Sequence, residues 1–371
     1  MNRILYLLAI SFLFSLPRYS IEEATNCMSC HINPSGGGMR NDYGSNIYSL
    51  DELPLKKWLN KGNQDWDGFV SDDIQIGGDF RIQMFQNGEK NRIFPMQADL
   101  YSNVQINNFA SLYFKLDLSR RLTDEYYVMF DDVLENSWFK VGQSLPNYGL
   151  KIDDHTSFTR SGNYNSLFIE PYDINYDEGL FFDVDVSLPI ILEYGVKLNK
   201  TTFTSSIGTN YITNAQRGFK NFAFSIHSYH SLSDLNMLTG VSYMKEEDVE
   251  SYAVFGGVNV NKLSFLYEFD KVDNWLSYNN GQNTDFYSSY ANLLQFTYKA
   301  KQGLHLIMKF DYFDKDINSE NGDVLRKTFG IELYPLNMFE IDFLFRQNTA
   351  STIEIDNDKK NEFLMQVHSW F

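Results

Sequence analysis

Apolar and polar residues alternate along most of the chain beyond residue 70. Residues 74–84 place Ile, Phe and Met at even positions and Gln, Asp and Arg at odd ones, and residues 96–106 and 111–118 continue in the same way. The alternation returns at residues 180–186, 222–228, 263–269, 304–312 and 339–345. A period of two is that of a β-strand, whose successive side chains point to opposite faces. Pairs such as Asn87-Gly88 mark turns between strands, so the pattern predicts an all-β fold.

The length of these runs decides between two kinds of all-β protein. Strands of a soluble sandwich are usually about 5–6 residues long, whereas runs of about ten residues are typical of a transmembrane barrel, apolar outward and polar toward the lumen. At about 18–19 residues for a strand and its turn, residues 69–371 provide about 16 strands. We predict an antiparallel outer-membrane β-barrel, with Leu100, Leu116 and Phe265 facing lipid and Gln97 and Lys115 facing the lumen. A soluble secreted β-protein is the alternative.

Charge and composition exclude other classes of protein. The chain has 371 residues, with 31 Lys and Arg against 48 Asp and Glu, a net charge of −17. Because an acidic chain repels phosphate backbones, we expect no nucleic-acid partner. The aromatic share of 16% argues against disorder and supplies the Tyr and Phe of membrane-interface girdles. Outer-membrane lipid is therefore an expected partner.

The N-terminus predicts export from the cytoplasm. Met1, Asn2 and Arg3 precede an apolar stretch over residues 4–16, which Pro17 and Arg18 end. A basic start followed by a short apolar stretch is typical of a secretory signal peptide, which we place at residues 1–20. An uncleaved anchor or a buried N-terminal strand is the alternative.

Both cysteines of the chain lie in one motif, Cys27-Met28-Ser29-Cys30-His31. C-x-x-C-H is the attachment signature of haem c. Two thiols a turn apart reach the two vinyl groups of one porphyrin, and the His that follows is placed as the proximal iron ligand. A zinc site would need four N or S ligands, and a redox pair would open a helix in a βαβ unit. We predict one covalent haem c on Cys27, Cys30 and His31, with a zinc site, a redox pair or coincidence as alternatives.

The second axial ligand of the iron has two candidates. Met39 follows three consecutive glycines and is the nearest thioether, although ordinary packing against the porphyrin edge explains it as well. His155 lies within residues 146–177, which interrupt the strand pattern and predict a long internal loop, folded into the lumen as a constriction or over the haem.

The haem segment, residues 21–68, is too short to fold alone. We expect it to lean on the barrel or insert into it.

Two features carry resemblances to known proteins. The chain ends on Trp370-Phe371, and a terminal Phe on an amphipathic strand resembles the insertion signal of bacterial outer-membrane barrels. A signal peptide, one C-x-x-C-H and an acidic barrel together resemble the fused monohaem cytochrome–porins of the bacterial outer membrane. The resemblance implies a single haem c in a short N-terminal plug inside a barrel of about 16 strands, with Cys27 and Cys30 as thioethers and His31 on the iron.

This architecture implies an outer-membrane electron carrier rather than an ordinary enzyme. Electrons would pass between an extracellular donor or acceptor, with Fe(II) oxidation as one candidate, and a periplasmic cytochrome as partner. The alternative is a passive porin whose haem-bearing segment serves as a gate or a docking module. The two hypotheses differ in whether a membrane-impermeant donor reduces the haem of intact cells.

Covalent attachment is the first testable prediction. Protein from a host with haem c maturation machinery should keep its haem after denaturation and give a c-type pyridine haemochrome spectrum. Cys27→Ala or Cys30→Ala should abolish attachment or leave a single unstable link, because each thiol forms one thioether. Wild-type protein without covalent haem would show that the interpretation of residues 27–31 is wrong.

Overall fold

The computed structural model describes residues 18–55, 67–87, 91–118, 124–150, 157–159, 188–209, 218–279, 282–314, 316–319, 323–350 and 358–371. Its N-terminal part holds a short helix α1 (Arg18–Glu22), a 3-10 helix (Cys27–Ser29) and a π-helix (Tyr43–Glu52). In the described part of the chain, no helix is long and apolar enough to cross a membrane. The strands are β1 (Phe69–Ser71), β2 (Ile74–Gln86), β3 (Asn91–Asn107), β4 (Ala110–Asp117), β5 (Glu125–Asp131), β6 (Ser137–Gln143), β7 (Ile190–Leu198), β8 (Thr201–Thr209), β9 (Phe219–Leu232), β10 (Leu235–Glu246), β11 (Val249–Val260), β12 (Leu263–Asn279), β13 (Gln282–Lys301), β14 (Leu304–Asp314), β15 (Asp323–Leu336), β16 (Phe339–Ala350) and β17 (Asp358–Trp370).

Strands β2 to β17 form a closed barrel. Each pairs antiparallel with the next, and β17 pairs back onto β2, for example Val367 with Ile82. The ring has 16 strands, and β1 is a short extra strand paired with the start of β2. The predicted fold class and strand number are therefore confirmed. Closure leaves no edge of the ring with free backbone N–H and C=O groups.

The two faces of the barrel carry the predicted chemistry. Leu100 and Leu116, paired across β3 and β4, are 38% and 51% exposed on the outer face. Gln97 and Asp99 are buried on the inner face, and Lys115 Nζ lies there 3.7 Å from Asp99 Oδ2. The apolar side thus faces lipid and the polar side the lumen, as predicted.

Met96 departs from the predicted alternation. Its even position groups it with Leu100, but its side chain is buried. The cause is a register shift between β2 and β3, where Arg81 pairs with Gln97 but Ile82 pairs with Pro95. Met96 is the extra residue of a β-bulge, and such a residue changes which face its neighbours take.

The two ends of the barrel differ in their connections. At one end the strands are joined by short turns, at residues 108–109, 132–136, 199–200, 233–234, 261–262, 302–303 and 337–338. The start of β2 and the end of β17 lie at this same end. Because outer-membrane barrels have short periplasmic turns and longer extracellular loops, we refer to this end as the periplasmic mouth.

Residues 144–150 and 157–159, which are described between β6 and β7, lie in the lumen. They make hydrogen bonds to inward-facing side chains of four different strands. These bonds are Asn147 Nδ2 to Thr204 Oγ1 (2.8 Å), Gly149 N to Ser242 Oγ (3.0 Å), Leu150 N to Glu268 Oε1 (2.7 Å) and Ser157 Oγ to Asp311 Oδ1 (2.9 Å). His155 and the strand predicted at residues 180–186 lie outside the described residues.

The lipid-facing position Leu100 yields a stability prediction. Leu100→Arg should destabilise the folded barrel by about 2–4 kcal/mol, because a charge near the bilayer midplane loses its hydration. Gln97→Lys, the matched change on the lumen face of the same strand, places its charge beside Asp99 and should cost far less. Urea unfolding in lipid vesicles, followed by tryptophan fluorescence, measures both. Equal losses would contradict the assignment of the two faces.

Candidate functional site

The C-x-x-C-H motif forms one tight turn of helix. Backbone bonds from Cys30 N and His31 N both reach Cys27 O, at 3.2 and 3.0 Å. The two cysteines, three positions apart, therefore lie on one side of a single turn, and His31 follows directly. Both cysteines are half-buried and are not joined in a disulfide.

The triple glycine returns the chain across the motif. Gly36, Gly37 and Gly38 have φ of 83, 75 and 65°, a left-handed conformation that other residues adopt at a cost. A Cβ at Gly36 would lie 3.0 Å from Cys27 Sγ. His31 then pairs with Arg40 in an isolated β-bridge, supported by a bond from Ile32 N to Met39 O of 3.0 Å. Glycine is thus required both by the turn and by the space next to Cys27.

The segment that follows is held against the backbone of the motif. Asn41 N donates to Cys30 O at 2.9 Å, and Asn41 Nδ2 donates to Met28 O at 2.9 Å. A Cβ at Gly44 would lie 2.2 Å from Cys30 O. The start of the π-helix therefore packs directly on the second cysteine. Residues 18–55, which contain the motif and this helix, are called the mouth segment below.

The mouth segment contacts the barrel wall at β3 to β6. Met39 is buried in a cluster with Tyr101, Tyr113 and Tyr127, and Met28 packs at its edge. The rings of Tyr113 and Tyr127 stack at 4.7 Å, and Met39 N donates to Tyr113 Oη at 3.3 Å.

The opposite side of the mouth segment contacts β9 to β13. Cys27 Sγ lies 4.0 Å from Tyr229 Oη. Glu22 accepts a hydrogen bond from Ser264 Oγ at 3.1 Å through its carboxylate and lies 3.5 Å from Lys299 Nζ. Its backbone oxygen accepts from Asn236 Nδ2 at 3.1 Å. These four wall residues lie close to the short turns of the periplasmic mouth.

A third set of contacts joins the mouth segment to β2 and β17. The guanidinium carbon of Arg40 lies 4.7 Å from the ring centroid of Trp370, and its Nη1 lies 3.9 Å from Asp79 Oδ2. Trp370 Nε1 donates to Ser49 Oγ at 3.0 Å. Leu55 N donates to Tyr334 O of β15 at 2.9 Å. The mouth segment thus lies across the periplasmic mouth, in contact with strands around the ring.

Arg18, at the start of α1, forms a buried ion pair with Glu332 of β15. Arg18 belongs to the range predicted as the signal peptide, whereas the other contacts described above come from residues 21–55.

The pKa of the Cys30 thiol is raised by its surroundings. Burial raises the pKa of its thiol to about 11, and the neighbouring Cys27 adds to the shift. Cysteines that exchange disulfides act as thiolates and have lowered pKa values. The raised pKa of Cys30 is therefore unlike that of a redox-active cysteine.

Three carboxylates of the wall form a separate group. Within the described ranges, Glu332, Glu340 and Asp342 are the His, Cys, Asp or Glu side chains that place three ligand atoms within 4.8 Å of one another. Each already has a polar partner: Arg18 for Glu332, His368 Nδ1 at 2.7 Å for Glu340, and Gln366 Nε2 at 2.9 Å for Asp342. The cluster is part of a hydrogen-bonded network next to the mouth segment. Cys27, Cys30 and His31 form no such group.

Several contact residues carry no sequence signal that marks them out. Trp370 and Tyr229 lie within strands, and the sequence pattern does not predict the π-helix. The sequence signal for Trp370 is its inward-facing position at the end of β17, next to the outward-facing Phe371. Nothing in the sequence indicated that these strands meet the mouth segment.

Comparisons with known proteins agree on the fold. No protein-family model matches the chain, and no curated protein sequence matches it. Among solved structures, the outer membrane channel DcaP of Acinetobacter baumannii is similar at a TM-score of 0.54 and 14% identity, covering 82% of this chain and 99% of that one. OmpT of Vibrio cholerae gives a TM-score of 0.56 at 13% identity, over 82% and 99% of the two chains. OmpF of Salmonella typhi, in complex with daunomycin, gives 0.54 at 11%, over 80% and 97%.

The chain has the fold of outer-membrane porins. A closed antiparallel ring with a lipid-facing apolar surface places it in the bacterial outer membrane.

The contacts of Arg40 yield a prediction on how the mouth segment is held. Arg40→Ala removes the stacking on Trp370 and the charge beside Asp79, a loss of about 1–2 kcal/mol for a partly desolvated cation–π contact. Amide hydrogen exchange of residues 21–55 should become about five- to thirtyfold faster. Lys262→Ala, at an exposed turn of the same mouth, is the matched control. Unchanged exchange in Arg40→Ala would show that this contact does not hold the segment.

Proposed function

We propose that the protein is a porin-type channel of the outer membrane whose mouth segment carries one covalent haem c. The observation that supports the channel is the closed barrel with a polar lumen. Charged side chains such as Lys140 and Glu193, 3.2 Å apart, face inward and away from lipid. Such a lumen is typical of barrels that pass hydrophilic solutes.

The residues of the mouth segment fit haem c. Two thiols lie on one helical turn, an imidazole follows at once, and a glycine leaves the space beside Cys27 Sγ free of a side chain. Cys27 and Cys30 would hold the porphyrin as thioethers, and His31 would bind the iron. When bound, the group supplies one-electron transfer. The aromatic cluster around Met39 would pack against the segment and keep water from this side.

Electron transfer is the second candidate function. The observation that favours it is the position of the motif at the periplasmic mouth, where a periplasmic cytochrome would approach. The mouth segment would then exchange electrons with that partner, while an extracellular donor or acceptor, with Fe(II) as a candidate, would act from the other side. In the channel hypothesis the same segment serves as a gate or a docking module.

Ion selectivity tests the channel. Glu125 of β5 is partly exposed on the lumen side, where its carboxylate lies 3.9 Å from Lys115 Nζ. Glu125→Gln keeps an acceptor oxygen but removes the charge, whose attraction for a passing cation is about 0.5 kcal/mol at roughly 8 Å in water. The cation-to-anion permeability ratio in planar bilayers should therefore fall about twofold. Glu250→Gln removes an equal charge on the outer side of β11 and should leave the ratio unchanged.

The outcomes separate the two candidates. Conductance with the expected change in selectivity supports the channel. Absence of any conductance, combined with reduction of the haem of intact cells by a membrane-impermeant donor, would instead support the electron carrier.

A further inference from the structure

We propose that His227 of β9 is the second axial ligand of the haem iron, on the face opposite His31. The inference rests on the proposed covalent haem. It replaces Met39 and His155 as candidates by a residue of the barrel wall, so that the iron would bridge the mouth segment and the barrel.

The first support is position. Tyr229 Oη lies 4.0 Å from Cys27 Sγ, and the rings of His227 and Tyr229 meet edge to face with centroids 5.7 Å apart. Both residues lie on the lumen face of β9, two positions apart. Because β9 runs toward the periplasmic mouth, His227 lies about 6–7 Å farther into the barrel than Tyr229. The imidazole of His227 therefore lies on the lumen side of the motif, and Tyr229 contacts both His227 and Cys27.

The second support is the state of the ring nitrogens. Thr202 and Gly240 lie opposite His227 on the two neighbouring strands, and the ring of Phe255 fills the space over Gly240. Among the described residues, neither ring nitrogen has a hydrogen-bond or ion-pair partner. A neutral imidazole with a free nitrogen is the form that binds haem iron.

Of the other described histidines on the strands, His368 and His305 lie beside the carboxylate cluster of Glu332, Glu340 and Asp342, and His230 faces outward. His368 lies between Asp79 and Glu340, at 2.9 and 2.7 Å. His305 lies 3.5 Å from Glu332. His230 is exposed on the outer face of β9.

Met39 is occupied by packing. Its side chain is 2% exposed within the aromatic cluster of the wall, and its terminal methyl carbon lies 3.8 Å from where a Cβ of Gly77 would be. Binding iron would require the thioether to leave this cluster. The structure thus favours the packing interpretation of Met39 that the sequence left open.

The ligand determines the spectrum and potential of the haem. Two imidazoles give a low-spin iron without the thioether-to-iron absorption band, and Met/His ligation gives a higher potential. The test uses the full chain from a host with haem c maturation. Covalent haem is first verified by mass, and correct folding by heat-modifiable gel mobility. Wild-type protein should then show the low-spin, bis-imidazole electron paramagnetic resonance signal.

Two variants of His227 test the ligand, and two further variants serve as controls. His227→Ala should keep its covalent haem but lose the low-spin signal, and added imidazole should restore it. His227→Met should stay low-spin with a raised potential. His230→Ala and Met39→Leu are controls that should leave the spectrum unchanged.

The outcomes distinguish this inference from the function it rests on. Covalent haem with an unchanged spectrum in His227→Ala would overturn the ligand assignment alone, as would loss of the low-spin signal in Met39→Leu. Wild-type protein without covalent haem would overturn the proposed haem and the ligand together.

Discussion

The hydrogen bonding of β17 to β2 is the contact on which the rest of the structure depends. In lipid an unpaired backbone N–H or C=O group costs several kcal/mol, so a sheet can span the membrane only when it has no edge. The pairing of residues 363–370 with β2 closes the ring. Closure also determines which side of every strand meets lipid and which meets the lumen. Ring closure therefore separates the apolar side chains, which face lipid, from the charged side chains, which face the lumen.

A ring of this size leaves a wide lumen, part of which the N-terminal residues occupy. Side chains fill the interior of a barrel of about 8 strands, but a barrel of about 16 leaves an open lumen. Two segments occupy that space. The described residues after β6 form hydrogen bonds to several strands inside it, and the mouth segment lies across the periplasmic end. Because each segment contacts strands far apart in sequence, the position of each depends on the closed barrel.

This dependence bears on the C-x-x-C-H motif. A segment of this size buries too little surface to fold alone, yet its helical turn, its glycine return and its contacts with Tyr113, Tyr229 and Trp370 are all specific. The barrel provides the apolar wall that a small domain lacks. In both candidate functions the haem would therefore report on, and depend on, the position of the mouth segment.

The sequence by itself determined the fold class, the two faces and the candidate chemistry, because each has a local signal. Strand faces follow from a period of two, and the cysteine spacing from a single helical turn. The alternation of apolar and polar residues does not predict the bulge at Met96, because a register shift depends on the partner strand. What only the tertiary structure decided is which residues meet. Cys27 lies beside Tyr229 and Arg40 beside Trp370 because ring closure brings strands hundreds of residues apart to one mouth. No local sequence pattern indicates such contacts, because they are determined by the order in which the strands pair around the barrel.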